Sequence, residues 1–94
     1  ESAFRQELGL SLILIPLAIY LPVTPIEQIL LIASVILVLI IELLNSSVEA
    51  AIDRISFEVH DLSKRAKDFG SAAVMLALLL CGLTWVIILS EHYL

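Results

Sequence analysis

The chain has 94 residues, of which 61% are hydrophobic and only 16% charged, with a formal net charge of −5 and a mean hydropathy of +1.08. A soluble domain is usually about 45–50% apolar and about 25% charged, and so short a chain cannot hide that much Leu, Ile, Val and Ala in a core of its own. The composition therefore calls for a bilayer as solvent, while the negative charge excludes a basic nucleic-acid binder and the single cysteine, Cys81, excludes a disulfide scaffold.

The first apolar block, residues 8–23, carries no charge and ends near Tyr20 and Pro22. Extended back to Phe4, with Arg5 and Glu7 in the headgroup layer, it reaches the roughly 20 residues of a spanning helix, so helix one is predicted over about 4–23. It does not read as a signal peptide, since it has neither a basic leader nor a small-residue cleavage site, and Glu1 and Glu7 flank it. Helix two has a legible start, because Thr24, Pro25 and Glu27 stand at N-cap, N1 and N3 of a capping box. Neither Gly nor Pro follows between Ile26 and Gly70, so helix two is predicted over about 25–55, leaving the hydrocarbon near residue 45. A loop over about 56–62 leads to helix three, about 63–90, around the apolar block 70–90. Alternation of period two is absent, and only closed hydrogen-bonding structures cross lipid, so the spans are helical. The fold class expected is all-α: an integral membrane protein with three transmembrane helices, one membrane domain over 1–94, in a homo-oligomeric helical bundle.

All five cations fall at one level. Arg54, Lys64, Arg65 and Lys67 lie between helices two and three, Arg5 precedes the first apolar block, and the link 21–28 and the tail 91–94 have none. The positive-inside rule then places the N-terminus and the 45–69 segment in the cytoplasm and the C-terminus outside. Trp85, Tyr93 and Tyr20 fall near the outer interface as aromatic anchors. Cys81 is expected to be a buried, inert thiol and His92 a solvated tail residue.

Polar residues concentrate where helix two leaves the membrane. On a helical wheel with Glu42 at zero, Asn45 falls at about −60°, Glu49 at about −20° and Asp53 at about +20°, one narrow stripe opposite Leu43, Leu44, Val48, Ala51 and Ile52. Placing a carboxylate in a helix at the bilayer centre costs up to about 2.5–3.5 kcal/mol. Glu42 lies within the run LIIELL, so an incidental solvated charge is a weak account of it, though an adequate one for Asp53 alone. Lys64, Lys67, Asp68 and Ser71 follow at helical spacings of three and four at the start of helix three, and Gly70, Ser71, Ala72 and Ala73 are small enough for close helix approach. Lys64 and Arg65 suit an anchor for anionic headgroups.

Carboxylates for a divalent metal, a lysine for phosphate and a position at the lipid–water boundary suit phosphoryl transfer to a membrane-borne alcohol. Mg²⁺ is typically held by one or two carboxylates with phosphates and waters completing its shell, and the protein's share of such catalysis is positioning and charge stabilisation. Glu42 and Glu49 are about 10 Å apart along the axis. The deeper carboxylate can meet a hydroxyl at headgroup depth, and the outer one a metal–nucleotide in the cytosol. Asp68-Phe69-Gly70 spells a protein-kinase motif, but no glycine-rich loop or catalytic loop accompanies it and the chain is too short for two lobes, so it is coincidental. G-x-x-x-x-G-K-[ST] is absent as well.

The segments ESAFRQE, ELLNSSVEAAIDRI and EVHDLSKRAKDFGSAA resemble the prokaryotic diacylglycerol kinases, small integral membrane enzymes, over essentially the whole chain. The spacing E-x-x-N-x-x-x-E-x-x-x-D together with R-A-K-D-x-G-S-A-A is highly specific. The resemblance implies Mg²⁺- and ATP-dependent phosphorylation of diacylglycerol to phosphatidic acid in the bacterial inner membrane, by a homotrimer with active sites shared between subunits. It implies that Glu42 is the proton acceptor and that Asn45 lines the same site. Glu1 and Glu49 would hold the metal and the ATP phosphates, Lys67 and Asp68 would bind nucleotide, and Glu58 and His60 would lie near adenine and ribose. Phe4, Arg5, Gln6, Glu7, Ser71 and Trp85, with Glu42, would contact the lipid substrate. It also implies an amphipathic surface helix upstream of Glu1 that completes the site. The chain departs from the pattern at Lys64, where glycine is common, and at Asp61, where glutamate is, both outside the core motif.

Two rival readings follow from the same residues. An undecaprenol kinase of the same fold would differ in lipid preference, which assay of both lipids separates. A non-enzymatic oligomeric ion or proton pathway would need its carboxylates near mid-bilayer, whereas Glu42 falls near the inner boundary.

Overall fold

The computed structural model describes the backbone of residues 2–55 and 60–94 and the side chains of 5–52 and 62–94. Its three helices are α1 (Ser2–Tyr20), α2 (Pro25–Ile55) and α3 (His60–Tyr93). The third thus extends the sequence-based boundaries by about three residues at each end, since nothing in HDL or EHY breaks a helix and helix ends are the least determined feature of a sequence. Pro16 lies inside α1, where its missing N–H removes one helical hydrogen bond.

The turn between α1 and α2 is built from side chains that satisfy helix ends. The Thr24 backbone N–H donates to Glu27 Oε1 at 2.9 Å and the Glu27 N–H to Thr24 Oγ1 at 3.2 Å, the reciprocal capping box that the sequence spells. Gln28 Nε2 donates to the carbonyls of Ile19 at 2.9 Å and Ala18 at 3.3 Å, so α2 caps the orphan acceptors at the end of α1. His92 is exposed, as expected of a tail residue, but it also brings its Nε2 within 2.8 Å of Glu27 Oε1. The last turn of α3 is therefore tied to the first turn of α2. No sequence pattern signals this pair, whose members lie 65 residues apart.

Above this clasp sits the apolar core of Ala18 from α1, Leu31 and Val35 from α2, and Trp85 and Ile88 from α3. Ser34 Oγ contacts Cys81 Sγ at 3.6 Å, fixing α3 antiparallel to α2 further along. Two helical stretches, Pro25–Ile52 and Leu62–Tyr93, are long and apolar enough to cross a membrane. Most of their large apolar side chains face outward: Leu43, Leu44, Met75, Leu76, Val86 and Ile87 are each more than half exposed, as lipid-facing residues should be. The molecule measures 54 × 20 × 18 Å. Its long dimension exceeds a hydrocarbon core of about 30 Å, so polar helix ends project beyond it.

Candidate active site

On α2 the buried residues Leu31, Val35, Val38 and Glu42 advance in steps of four, three and four, the spacing of a single helix face. Asn45 and Glu49, both half-buried, continue the same steps. The acidic stripe is therefore the inward face of α2, apolar at one end and carboxylate-bearing at the other. Glu42 retains only 8% of its accessible surface, and it lies 17 residues beyond Pro25, about 26 Å along the helix. That depth is the far boundary of a bilayer entered at the capping box.

α3 supplies the facing wall. A Cβ on Gly70 would overlap the Asn45 side-chain oxygen and lie 3.0 Å from its Cγ, so the two helices touch at this pair. With Ser34 against Cys81 and Glu27 against His92, the contact sets an antiparallel register in which each step forward on α2 matches one back on α3. Lys67 thereby falls level with Val48 and Glu49, and Ser71 with Leu44. Lys67 is half-buried, Asp68 and Ser71 are exposed. Asn45 Oδ1 is buried, with no hydrogen-bond partner among the described residues. Together with Ile41, Leu44, Val48, Gly70 and Ala73 it lines a small depression of about 150 Å³.

α1 closes the other side. Glu7 is half-buried, Arg5 and Gln6 exposed, and Glu7 stands at one end of an apolar cavity of about 250 Å³ lined also by Leu14, Val35, Val38, Leu78 and Gly82. From the Gln28–Ile19 contact, Glu42 lies fourteen residues forward on α2, and fourteen residues back on α1 lead to Arg5, two residues from Glu7.

Several residues named from the sequence stand elsewhere. Trp85 is buried in the core, about 25 Å along α3 from Asp68, with its indole N–H unpartnered among the described residues. It belongs to the opposite end of the molecule from the carboxylates. Glu1, Glu58 and the side chains of Phe4, His60, Asp53 and Asp61 lie outside the described residues. Among the described residues no group of three or more His, Cys, Asp or Glu converges as a metal site. Mg²⁺ needs only one or two protein carboxylates beside phosphate and water, and the Glu49 carboxylate, level with a lysine, is a donor of that kind. What the sequence did not disclose was the pairing of Asn45 with Gly70. The small-residue run signals close approach, but only the register identifies the partner.

This is a helical membrane protein with carboxylates, an amide and a lysine gathered where α2 and α3 leave the apolar layer. A model of the family "Prokaryotic diacylglycerol kinase" matches residues 1–89. The chain is 50% identical to the diacylglycerol kinase of Escherichia coli (strain K12) over 93 residues, 99% of this chain and 76% of that protein. It is 56% identical to the diacylglycerol kinase of Haemophilus influenzae over 85 residues (90% and 72%). With that of Pseudomonas aeruginosa it shares 53% over 89 residues (95% and 72%). The chain belongs to the prokaryotic diacylglycerol kinase family and is an enzyme of that family.

Proposed function

We propose that the protein transfers the γ-phosphoryl group of ATP to the free hydroxyl of diacylglycerol, forming phosphatidic acid at the cytoplasmic face of the bacterial inner membrane. The observation that carries this reading is Glu42, a carboxylate buried on the inward face of α2 at the depth where the membrane ends, with Lys67 level with Glu49 seven residues further out. Glu42 takes the proton of the lipid hydroxyl as its oxygen attacks the γ-phosphorus; the bond to the bridging oxygen breaks and ADP leaves with the electron pair. Asn45 lies between the two carboxylates and orients the reacting groups. Glu49, with Glu1, would hold Mg²⁺, which when bound would supply neutralisation of phosphate charge. Lys67 and Asp68 bind the nucleotide, with Glu58 and His60 near its base and sugar. Phe4, Arg5, Gln6, Glu7 and Ser71 take the lipid side, whereas Trp85, buried in the core at the other end, takes no part in this reading.

All three helices span the membrane in this reading, α1 included, with the N-terminus and the 45–69 segment inside. Three helices cannot enclose two substrates of such different solubility, which supports assembly into a homo-oligomer with shared sites; the number three rests on the family resemblance alone. Glu42→Gln tests the mechanism, because the amide keeps the shape and cannot accept the proton. Turnover should fall by about 10²–10⁴-fold, the usual worth of a general base, with the detergent-solubilised oligomer unchanged. Wild-type turnover in this variant removes Glu42 from the reaction, and preference for a polyprenol over diacylglycerol in the wild type replaces the substrate.

A further inference from the structure

Glycine weakens a helix interior relative to alanine, and α3 carries two glycines within its 34 residues, Gly70 and Gly82. A Cβ on Gly82 or on Gly9 of α1 would meet nothing within 4 Å. At Gly70 it would run into Asn45, overlapping the side-chain oxygen, 3.0 Å from Cγ and 3.8 Å from Cβ. The obstructed atom belongs to the residue that stands three positions from Glu42 and four from Glu49 on the same face. Gly70 in turn stands three positions from Lys67 on α3. The contact is thus the midpoint between the groups assigned to the lipid, the metal and the nucleotide. An amide wedged against backbone also loses the rotameric freedom that an exposed asparagine keeps.

We propose that Gly70 is a positioning residue for phosphoryl transfer: its lack of a side chain seats α3 on the Asn45 amide and so holds the α2 carboxylates in register with Lys67. The inference rests on the reading of Asn45 and its neighbours as the reaction site. Gly70 touches neither substrate. It acts through Asn45 and through the helix spacing, and misplacements of about 1 Å in such sites cost on the order of 10²-fold in rate.

The test is a double-mutant cycle on the purified, detergent-solubilised oligomer with Gly70→Ala, Asn45→Ala and the pair, following kcat and KM for ATP and for a short-chain diacylglycerol. Gly70→Ala should lower kcat by at least about tenfold and leave both KM values within about twofold, the signature of an interaction realised in the transition state. In the Asn45→Ala background, where the amide that the new methyl group meets is gone, Gly70→Ala should cost no more than about twofold, whereas independent sites give additive losses. Spin labels at Ala50 and Arg65, both exposed, read the helix spacing without activity. Their separation should grow in Gly70→Ala and return in the double variant. Unchanged kcat, additive losses, or a spacing that Asn45→Ala does not restore each overturn the proposal. If Gly70→Ala alone fails to assemble, assembly of the double variant supports it and failure of both counts against it. Full turnover in Asn45→Ala by itself instead defeats the underlying reading of the site.

Discussion

Glu42 holds a position on α2 that Val38 and Val35 hold one and two turns earlier, and this is the physical content of the site: a core position filled by a carboxylate. Sequence reasoning found the stripe because Glu42, Asn45 and Glu49 repeat at helical spacing and Glu42 interrupts an apolar run. It could not say whether the stripe faced protein, lipid or water, and burial of Glu42 to 8% decides for protein. Glu49, one heptad outward and half-buried, has the environment for a different task, since it is wet enough to meet a hydrated cation. Glu49→Gln keeps the hydrogen-bonding shape but removes one anionic oxygen. The Mg²⁺ concentration for half-maximal turnover should rise at least about tenfold, as the loss of a charged hydrogen-bonding or coordinating partner is worth about 1.5–3 kcal/mol, while turnover at saturating Mg²⁺ falls less. A metal titration checks this, and an unshifted midpoint takes Glu49 out of the metal site.

Helix starts were easier to read than helix neighbours. Thr24, Pro25 and Glu27 encode a local hydrogen-bond pattern within four residues, and the structure contains it. Which faces of α1 and α3 turn inward is another matter. Lipid is as apolar as a protein core, so transmembrane helices carry little polarity contrast to mark the buried side. For this reason Trp85 reads from sequence as an interface anchor, although Ala18, Leu31, Val35 and Ile88 enclose it. The pairing of His92 with Glu27 is equally invisible, being a contact between helix ends that meet only after the fold forms. That end of the molecule is a closed network, with Gln28 on the carbonyls of Ala18 and Ile19, Thr24 on Glu27 and Glu27 on His92. Thr24→Ala removes the acceptor of the Glu27 N–H and should lower stability by about 1 kcal/mol, measured by unfolding in mixed detergent micelles. Its turnover at low temperature should be unchanged, because the capping box stands about 26 Å along α2 from Glu42. A stable Thr24→Ala protein with impaired turnover would instead couple the two ends.

At the scale of the whole molecule, length and charge together predict an orientation. The 54 Å long axis leaves more than 20 Å outside a hydrocarbon core of about 30 Å. The surplus is unequal in chemistry: Lys64, Arg65 and Lys67 mark one end, while Tyr20, Glu27, Glu91, His92 and Tyr93 mark the other. Basic residues beside a span are retained in the cytoplasm, whereas acidic ones contribute little to orientation. That end is also where Glu42 and Glu49 lie, so the orientation expected from this asymmetry would place the carboxylates in the compartment holding ATP. Two single-cysteine proteins in a Cys81→Ala background test this directly, because Cys81 is the chain's one natural thiol. A membrane-impermeant maleimide applied to intact spheroplasts should label a cysteine replacing Glu91 and leave one replacing Lys64 unmodified until the membrane is permeabilised. Both positions are exposed, so failure to label reports the barrier rather than burial. The opposite pattern would put the carboxylates on the side without nucleotide and end the kinase reading of this site, whereas labelling of both from outside would mean that α3 does not cross.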